Sequence, residues 1–321
     1  MEVPHVVSYF KKIFIMKKIL IFIFVIIFCN LSAQNVNKTS FQDEILNGKV
    51  KIIKQKIYKG NKVDTMQYIF NDLGLIIDAV QYGDHTVYFY NSDNQIIKSI
   101  TNYLEHGGVE SHTNEYFYEN GNLVKHILRY PPSTEKITCF YDYFVTYYKY
   151  DSINQLVEVM KFDKHKNAKK ESLSEHYIYQ YDSCRNRTIE ESFDSNGNKI
   201  MKIEKKYINN KLIEIFTWRA FEGTYTYHKG VYQYDEKGTL VSINGIEYKY
   251  GSTTDIAAQY TTSYFYDEQH RLVKVFEPWY PKNIITTYRE FDIYGNWLKK
   301  KIIDNDGKVK KTIREIQYFN E

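Results

Sequence analysis

The sequence contains little cysteine and proline and has no helical hydrophobic periodicity. Among 321 residues only three are Cys and five are Pro, and Cys29 lies in an apolar N-terminal segment. The other two, Cys139 and Cys184, are too few to form a disulfide scaffold for a domain of this size. We expect them to remain unpaired, because a long predicted strand separates Cys139 from the turn that contains Cys184. Stability must therefore come from a core built of strands.

Recognisable catalytic motifs are also missing. There is no G-x-S-x-G elbow, no H-E-x-x-H pair and no phosphate-binding loop. His106, Glu110 and His112 could meet as metal ligands, and the turn aspartates could bind calcium. Exposed loop histidines and turn capping explain these residues without a metal. We therefore predict no catalytic residues, metal or cofactor, although a glycan hydrolase with unidentified carboxylates stays an alternative.

Excess charge of one sign is largely absent from the body of the chain. The formal net charge is +4, of which residues 1–33 supply +3, from four lysines and one glutamate. Near-neutral charge with interspersed signs predicts no nucleic-acid partner. The basic stretch Lys161 to Lys170 is interpreted as a solvated loop, with contact to an anionic surface polymer as the alternative.

The N-terminus is typical of a secretory signal peptide. Lys17 and Lys18 precede a short apolar run that ends at Cys29, and "NLSAQN" follows. We predict a signal peptide over residues 1–33, with cleavage after Ala33 and a true start at Met16. A retained anchor and a lipoprotein modified at Cys29 are the alternatives. The prediction implies export, with no stable membrane span after the signal is removed.

One short pattern recurs along the remaining chain. "YFYNSDNQIIKS", "YQYDEKGTLVSI" and "YFYDEQHRLVKV" begin at Tyr88, Tyr232 and Tyr264. In each copy an aromatic residue is followed by Asp or Asn, which can accept a backbone hydrogen bond and start a turn. Four residues after the aromatic comes Gly, Asn or His, the residues that best tolerate positive φ. In the Tyr181 copy the candidate, Asn186, comes one residue late.

Each copy therefore predicts a β-hairpin, with two rings on one face of the first strand. "FDSNGNK" and "DNDGK" reuse this turn chemistry at the opposite end of the sheet. The predicted turn residues are Gly74, Asn94, Gly121, Asn154, Gly197, Gly238, His270, Gly295 and Gly307.

These stretches, together with "FDIYGNWLKK", resemble YD repeats, the tyrosine–aspartate repeats of the Rhs and teneurin class. The resemblance extends from Tyr68 to Tyr318 and implies a β-hairpin ribbon that coils into a spiral shell, sometimes around a toxin domain. The predicted fold is an all-β, antiparallel β-hairpin repeat ribbon. It is an open meander or spiral sheet of about twenty strands, forming one domain over residues 34–321 after the signal peptide.

The predicted function is that of an exported, non-enzymatic structural or binding module at the cell surface. A strand face of tyrosines that is covered would simply be core. If a face is exposed, its rings can stack on sugars or anchor a protein, so the partner would be a glycan or a protein. Trp218, Trp279 and Trp297 lie in or beside predicted loops and are the candidate ligand contacts. An accessory relative of Rhs-type toxin systems is a further alternative.

Overall fold

The structure is a computed structural model that describes residues 38–41, 44–103, 110–131, 141–221, 223–279 and 282–319. The predicted signal peptide lies outside these residues. The elements in the described part of the chain are β1 (Lys38–Phe41), β2 (Glu44–Asn47), β3 (Val50–Lys59), β4 (Lys62–Phe70), β5 (Ile76–Gln81), β6 (Asp84–Tyr90), β7 (Ile96–Tyr103), β8 (Glu110–Glu119), β9 (Asn122–Arg129), β10 (Tyr141–Tyr150), β11 (Leu156–His165), β12 (Ser172–Tyr181), β13 (Arg187–Phe193), β14 (Lys199–Ile208), β15 (Lys211–Phe221), β16 (Thr224–Tyr234), β17 (Leu240–Tyr248), β18 (Ile256–Tyr266), β19 (Leu272–Trp279), β20 (Lys282–Phe291), β21 (Trp297–Ile303) and β22 (Val309–Tyr318).

Strands β3 to β22 form a closed antiparallel barrel, while β1 and β2 form a separate two-stranded sheet. Each barrel strand pairs with its neighbours in sequence, and β22 pairs with β3 from Lys310 opposite Lys59 to Tyr318 opposite Val50. The all-β prediction is right, but the predicted open ribbon is wrong. An open sheet leaves unpaired backbone groups along two edges, and pairing of the first strand with the last removes both edges.

The turns at one end of the barrel, which we call the tip end, have a common backbone geometry. Positive φ occurs at Gly74, Asn94, Gly121, Asn154, Gly238, His270 and Gly295, and at Gly197 and Gly307 at the opposite, back end. In the Tyr181 copy it is Arg185, with φ of 66°, that adopts this conformation, rather than Asn186.

An Asp or Asn side chain organises most of these turns. The Oδ1 atom of Asp151 accepts hydrogen bonds from the backbone N–H groups of Ile153 at 3.0 Å and Gln155 at 2.8 Å. The same pair of bonds occurs at Asn71, Asn91, Asp182, Asp194, Asp267, Asp292 and Asp304. One carboxylate thus satisfies two backbone donors that a tight turn would otherwise leave unpaired.

At most of the tip turns, a tyrosine before the turn ties its hairpin to the preceding one. The hydroxyl of Tyr90 donates to the carbonyl oxygen of Ile76 at 2.7 Å, and that of Tyr266 donates to the carbonyl of Leu240 at 3.0 Å. Equivalent bonds are made by Tyr150, Tyr181, Tyr207 and Tyr234. A phenylalanine could fill the same space, but it could not donate this bond.

The two faces of the barrel wall differ in burial. In most copies of the repeated pattern, a tyrosine lies two residues before the aromatic residue that precedes the tip turn. We call the face that carries these tyrosines the tyrosine face. On it, Tyr68 and Tyr116 are only 1% and 4% exposed. In each Tyr-Phe-Tyr sequence the central phenylalanine points to the other face. These residues, Phe89, Phe117 and Phe265, are 43–45% exposed. Because side chains converge on the concave side of a closed sheet and diverge on the convex side, the tyrosine face lines the lumen. The other is the outer face.

The main apolar cluster lies beside the seam where β22 meets β3. It consists of Leu46, Val50, Ile53, Ile57, Met66, Tyr68, Phe70 and Ala79. Charged side chains occupy strand positions on both faces: Lys161 pairs with Glu175 on the tyrosine face, and Lys202 pairs with Glu204 on the outer face. Both faces of the wall are thus suited to contact with water or polar ligands.

Candidate functional site

Aromatic side chains cluster on the outer face near the back end of β15, β16 and β17. Side chains alternate along β16, so Tyr225 and Tyr227 lie on the opposite face from Tyr232. Trp218 of β15 stands directly across from Tyr227, and Ala220 stands across from Tyr225. We call the resulting group the aromatic surface; its members are Phe216, Trp218, Tyr225, Tyr227, Tyr248 and Tyr250.

The rings of the aromatic surface contact one another across the strands. Trp218 meets Tyr225 edge to face, with centroids 5.3 Å apart. Phe216 lies 6.1 Å from Tyr227 and 6.5 Å from Tyr248. These are the separations of favourable aromatic pairs, so Trp218 supports Tyr225, and Phe216 supports Tyr227 and Tyr248.

A turn at the back end adds the most exposed ring. Tyr250 is 71% exposed and Tyr225 is 49% exposed. The backbone N–H of Gly251 donates to the carbonyl of Tyr225 at 2.9 Å, which holds the Tyr250 turn against β16. Within the same turn the hydroxyl of Ser252 accepts the backbone N–H of Asp255 at 2.8 Å. The exposed ring is therefore carried by a hydrogen-bonded turn.

Charges around the aromatic surface are paired with one another. Glu214 receives hydrogen bonds from Lys206 at 2.8 Å and binds Lys229 at 2.7 Å, and Lys202 binds Glu204 at 2.8 Å. The bonds from Lys206 and Lys229 hold the pKa of Glu214 below its usual value, against a smaller opposing effect of burial. The carboxylate therefore stays ionised at neutral pH, and the surroundings of the rings are close to electrically neutral.

A depression of about 360 Å³ adjoins the aromatic surface at Phe216. Ile189, Lys206 and Glu214 also line it. Its volume is at the lower end of the 300–1,000 Å³ range of pockets that hold small molecules. Ring faces can stack on the apolar C–H faces of a sugar. The polar side chains and tyrosine hydroxyls beside the rings can form hydrogen bonds with the hydroxyls of the same sugar.

The three tryptophans predicted from the sequence are not brought together. Trp218 belongs to the aromatic surface, whereas Trp297 packs under the guanidinium of Arg314 on the tyrosine face. The side chain of Trp279 lies outside the described residues. Sequence reasoning missed Tyr225 and Tyr250, although "TYTY" and "YKYG" place them beside turns. The register of β15 with β16 brings Tyr225 to Trp218, and the bond from Gly251 to Tyr225 holds the Tyr250 turn beside β16.

The basic stretch Lys161 to Lys170 is not a single loop. β11 continues to His165, and Lys161 points to the tyrosine face, where it binds Glu175 at 2.8 Å and Tyr177 at 3.3 Å. Although burial opposes it, the charge of Lys161 holds the pKa of Glu175 below its usual value. The solvated-loop interpretation therefore fails for Lys161 itself, which is a structural ion-pair partner inside the barrel.

Metal-ligating side chains do not cluster in the described part of the chain: no group of three or more His, Cys, Asp or Glu residues there could hold an ion. His106 and the side chain of Glu110 lie outside it. His112 instead contacts the hydroxyl of Tyr103 at 2.5 Å through Nδ1. Cys184 is an exposed free thiol, but Cys139 lies outside the described residues, so their predicted lack of pairing stays a prediction. Nowhere in the described ranges does a helix have the length and apolar character of a membrane span.

Comparison with models of known protein families finds no match, and neither does comparison with curated proteins. Among solved structures, the chain is similar to a porin-like protein from Bacteroides uniformis at 10% identity, covering 84% of this chain and 98% of that one with a TM-score of 0.36. A porin-like protein from Bacteroides vulgatus is 11% identical, with 85% and 100% covered and a TM-score of 0.35. A TcdB2-TccC3-Cdc42 structure is 12% identical over 84% of this chain, with a TM-score of 0.32.

This chain covers only 16% of the TcdB2-TccC3-Cdc42 chain that it matches. A Tc toxin is thus among the similar structures, but no family match identifies YD repeats here. The resemblance to that repeat class stays a prediction. Similarities of this size do not indicate a function.

Proposed function

We propose that this protein is an exported, non-enzymatic binding protein that holds a glycan on the aromatic surface of β15 to β17. The observation that carries the proposal is the exposure of Tyr225, which packs against Trp218, and of Tyr250, whose turn is hydrogen-bonded to the backbone of Tyr225. A contiguous patch of exposed rings marks an interaction site, and sugars present apolar C–H faces that stack on such rings. The paired charges around the rings favour a neutral saccharide over a charged one.

A binding role is favoured over a hydrolytic one by the state of the carboxylates. A glycoside hydrolase needs one carboxylic acid with a raised pKa beside a second, ionised carboxylate. Near the aromatic surface, Glu214 is held ionised by Lys206 and Lys229. On the tyrosine face, Glu175 is likewise held ionised by Lys161. Ion-paired carboxylates of this kind suit a structural role.

Binding should be tested by screening purified protein against immobilised neutral glycans and measuring the affinity of the hits by calorimetry. Tyr250→Ala should weaken binding about fivefold, as expected for one stacked ring worth roughly 1 kcal/mol. Because Tyr250 is highly exposed, its removal should leave the melting temperature unchanged. Phe265→Ala is the control, since this ring is also exposed but lies at the tip end, away from the aromatic surface.

Equal affinities for wild type, Tyr250→Ala and Trp218→Ala would refute the aromatic surface as the binding site. Release of reducing sugar during prolonged incubation would show that the protein is a hydrolase. Export is tested separately by N-terminal sequencing of protein recovered from the cell envelope or medium. Cleavage near Ala33 is expected, and an intact N-terminus on protein retained in the cytoplasm would refute export.

A further inference from the structure

The depression beside Phe216 lies across β13, β14 and β15. Ile189 stands opposite Glu204, and Glu204 stands opposite Phe216, so these three residues form one row on the outer face. Lys206 and Glu214 are the next opposed pair on that face, towards the tip end. All five residues line the depression. Because Phe216 also belongs to the aromatic surface, the depression and the rings form one continuous surface.

Aromatic rings lead from the depression to the back end of the barrel. Phe216 contacts Tyr227, with centroids 6.1 Å apart. Trp218 lies two residues further along the same face of β15 and contacts Tyr225 at 5.3 Å. The turn that carries Tyr250 is bonded to the backbone of Tyr225. The most exposed rings and the depression therefore stand at opposite ends of one path.

This path is longer than a single sugar. Tyr225 stands opposite Ala220, which lies four residues from Phe216 on β15. At about 3.3 Å per residue the path covers about 13 Å along the strands, and the two strand spacings from β16 to β14 add about 10 Å across the sheet. A pyranose is a six-membered ring like that of a tyrosine side chain, so one such ring cannot contact both ends. A chain of several linked sugars can.

Two polar groups at the depression have hydrogen-bonding capacity left for a ligand. Within the described part of the chain, Lys206 donates to Glu214 at 2.8 Å, and an ammonium group has three N–H donors. Glu204 accepts from Lys202 at 2.8 Å through Oε1, which leaves Oε2 able to accept another bond. The side chains of Lys206 and Glu204 are 69% and 48% exposed, so a ligand can reach both. Glu214 differs from them, because Lys206 and Lys229 occupy both of its oxygens.

Given the glycan binding proposed above, we infer that the ligand is a neutral oligosaccharide that lies along this path. One of its sugars stacks at Tyr225 and Tyr250, and another occupies the depression. There Lys206 donates a hydrogen bond to one hydroxyl, and Glu204 accepts a hydrogen bond from another. The site thus has two ends, and a monosaccharide contacts only one of them at a time.

Calorimetric titrations with glucose, mannose and xylose, and with cellohexaose, mannohexaose and xylohexaose, test this arrangement. At least one hexasaccharide should bind more tightly than its monosaccharide. Equal affinities within every series would overturn the two-ended site and leave glycan binding intact. Absence of binding by these sugars and by the immobilised neutral glycans would refute glycan binding itself.

The variants Lys206→Met and Glu204→Gln decide whether the depression is occupied, because a longer chain also offers more copies of each sugar. Each variant removes one polar contact and leaves the rings in place. Each should weaken hexasaccharide binding about fivefold, as expected for one hydrogen bond. Since distant contacts contribute independently, Lys206→Met combined with Tyr250→Ala should weaken it about 25-fold. The melting temperatures should change little, because exposed ion pairs add little stability.

Lys274→Met is the matched control for Lys206→Met. Lys274 is also an outer-face lysine, but it lies over the ring of Phe265 at the tip end, with its Nζ 5.1 Å from the centroid. Its replacement should leave hexasaccharide affinity unchanged. Unchanged affinity in Lys206→Met and Glu204→Gln, or an equal loss in Lys274→Met, would overturn the proposal.

Discussion

Replacement of Gly295 tests how the tip turns determine the fold. Gly295 has φ of 82°, and its N–H donates to the carbonyl of Asp292 at 3.0 Å. A Cβ added there would find only the Cδ of Arg271 at 3.8 Å, which is ordinary contact. Because the new side chain has room, any loss of stability in a Gly295→Val variant must come from the backbone conformation.

The expected magnitude follows from comparing valine with asparagine at this position. Left-handed conformation costs an L-residue about 1–2 kcal/mol, and asparagine tolerates it better than other residues. Both replacements also restrict the unfolded chain, which offsets part of the loss by about 0.4–1 kcal/mol. Since both variants share that offset, Gly295→Val should unfold at least about 1 kcal/mol more easily than Gly295→Asn.

Guanidinium chloride unfolding of wild type, Gly295→Val and Gly295→Asn measures this difference directly. A parallel pair at Gly238, where φ is also 82°, should show the same sign. There the added Cβ meets the end of the Lys211 side chain, which is flexible and can move aside. Equal unfolding midpoints for the valine and asparagine variants at both positions would refute the turn assignment.

Three further predictions concern single side chains. Tyr266→Phe removes the hydroxyl bond to Leu240 and should lower the free energy of unfolding by about 0.5–1.5 kcal/mol in denaturant titrations, with Phe265→Leu on the outer face as control. Hydrogen bonds from Gln155 hold the pKa of Asp151 below its usual value. The ionised carboxylate therefore stabilises the folded state above about pH 4, and this stabilisation is lost as pH falls further. The melting temperature of Asp151→Asn should accordingly differ less between pH 3 and pH 7 than that of wild type. Burial lowers the pKa of His126 to about 4, so the free energy of unfolding should fall by up to about 3 kcal/mol as pH decreases from 6.5 to 4. In His126→Gln this fall should be absent from the plot of unfolding free energy against pH. A plot identical to that of wild type would contradict the burial of a neutral imidazole.

The turns could be predicted because their chemistry is local. Asp151 and its two backbone donors lie within five consecutive residues, and the left-handed position follows at a fixed spacing. The tyrosine bond is only partly local: Tyr266 reaches Leu240 on the neighbouring strand, a contact that follows once the hairpins are placed side by side. The sequence pattern therefore contained the hairpins and their turns, and it placed the two rings of a copy on one face without showing which face is buried.

Closure of the barrel could not be predicted in the same way. It depends on the pairing of β22 with β3, which are far apart in the sequence. Neither strand has a local sequence feature that shows whether its edge pairs with another strand or faces solvent. The aromatic surface and the contact between Gln55 and Arg314 share this limitation. Trp218 meets Tyr225 through strand register, and Gln55 meets Arg314 only because the ring closes.

The seam reuses the chemistry of the tips to hold the ends of the chain together. Asp292 starts a tip turn like the others, but Tyr318 donates its hydroxyl to the Asp292 carboxylate instead of to a backbone carbonyl. Burial and this bond raise the pKa of Tyr318, which keeps the hydroxyl a donor at physiological pH.

Asn296, at the end of the same turn, extends this connection to the strand that precedes β3. Its Oδ1 accepts the N–H of Asn47 at 2.8 Å, and its Nδ2 donates to the carbonyl of Asn47 at 2.8 Å and to Tyr318 at 2.8 Å. Elsewhere the residue at this position bonds chiefly within its own turn. A single tip thus joins β2, β20 and β22, so closure is stabilised by side-chain bonds as well as by the backbone ladder between β22 and β3.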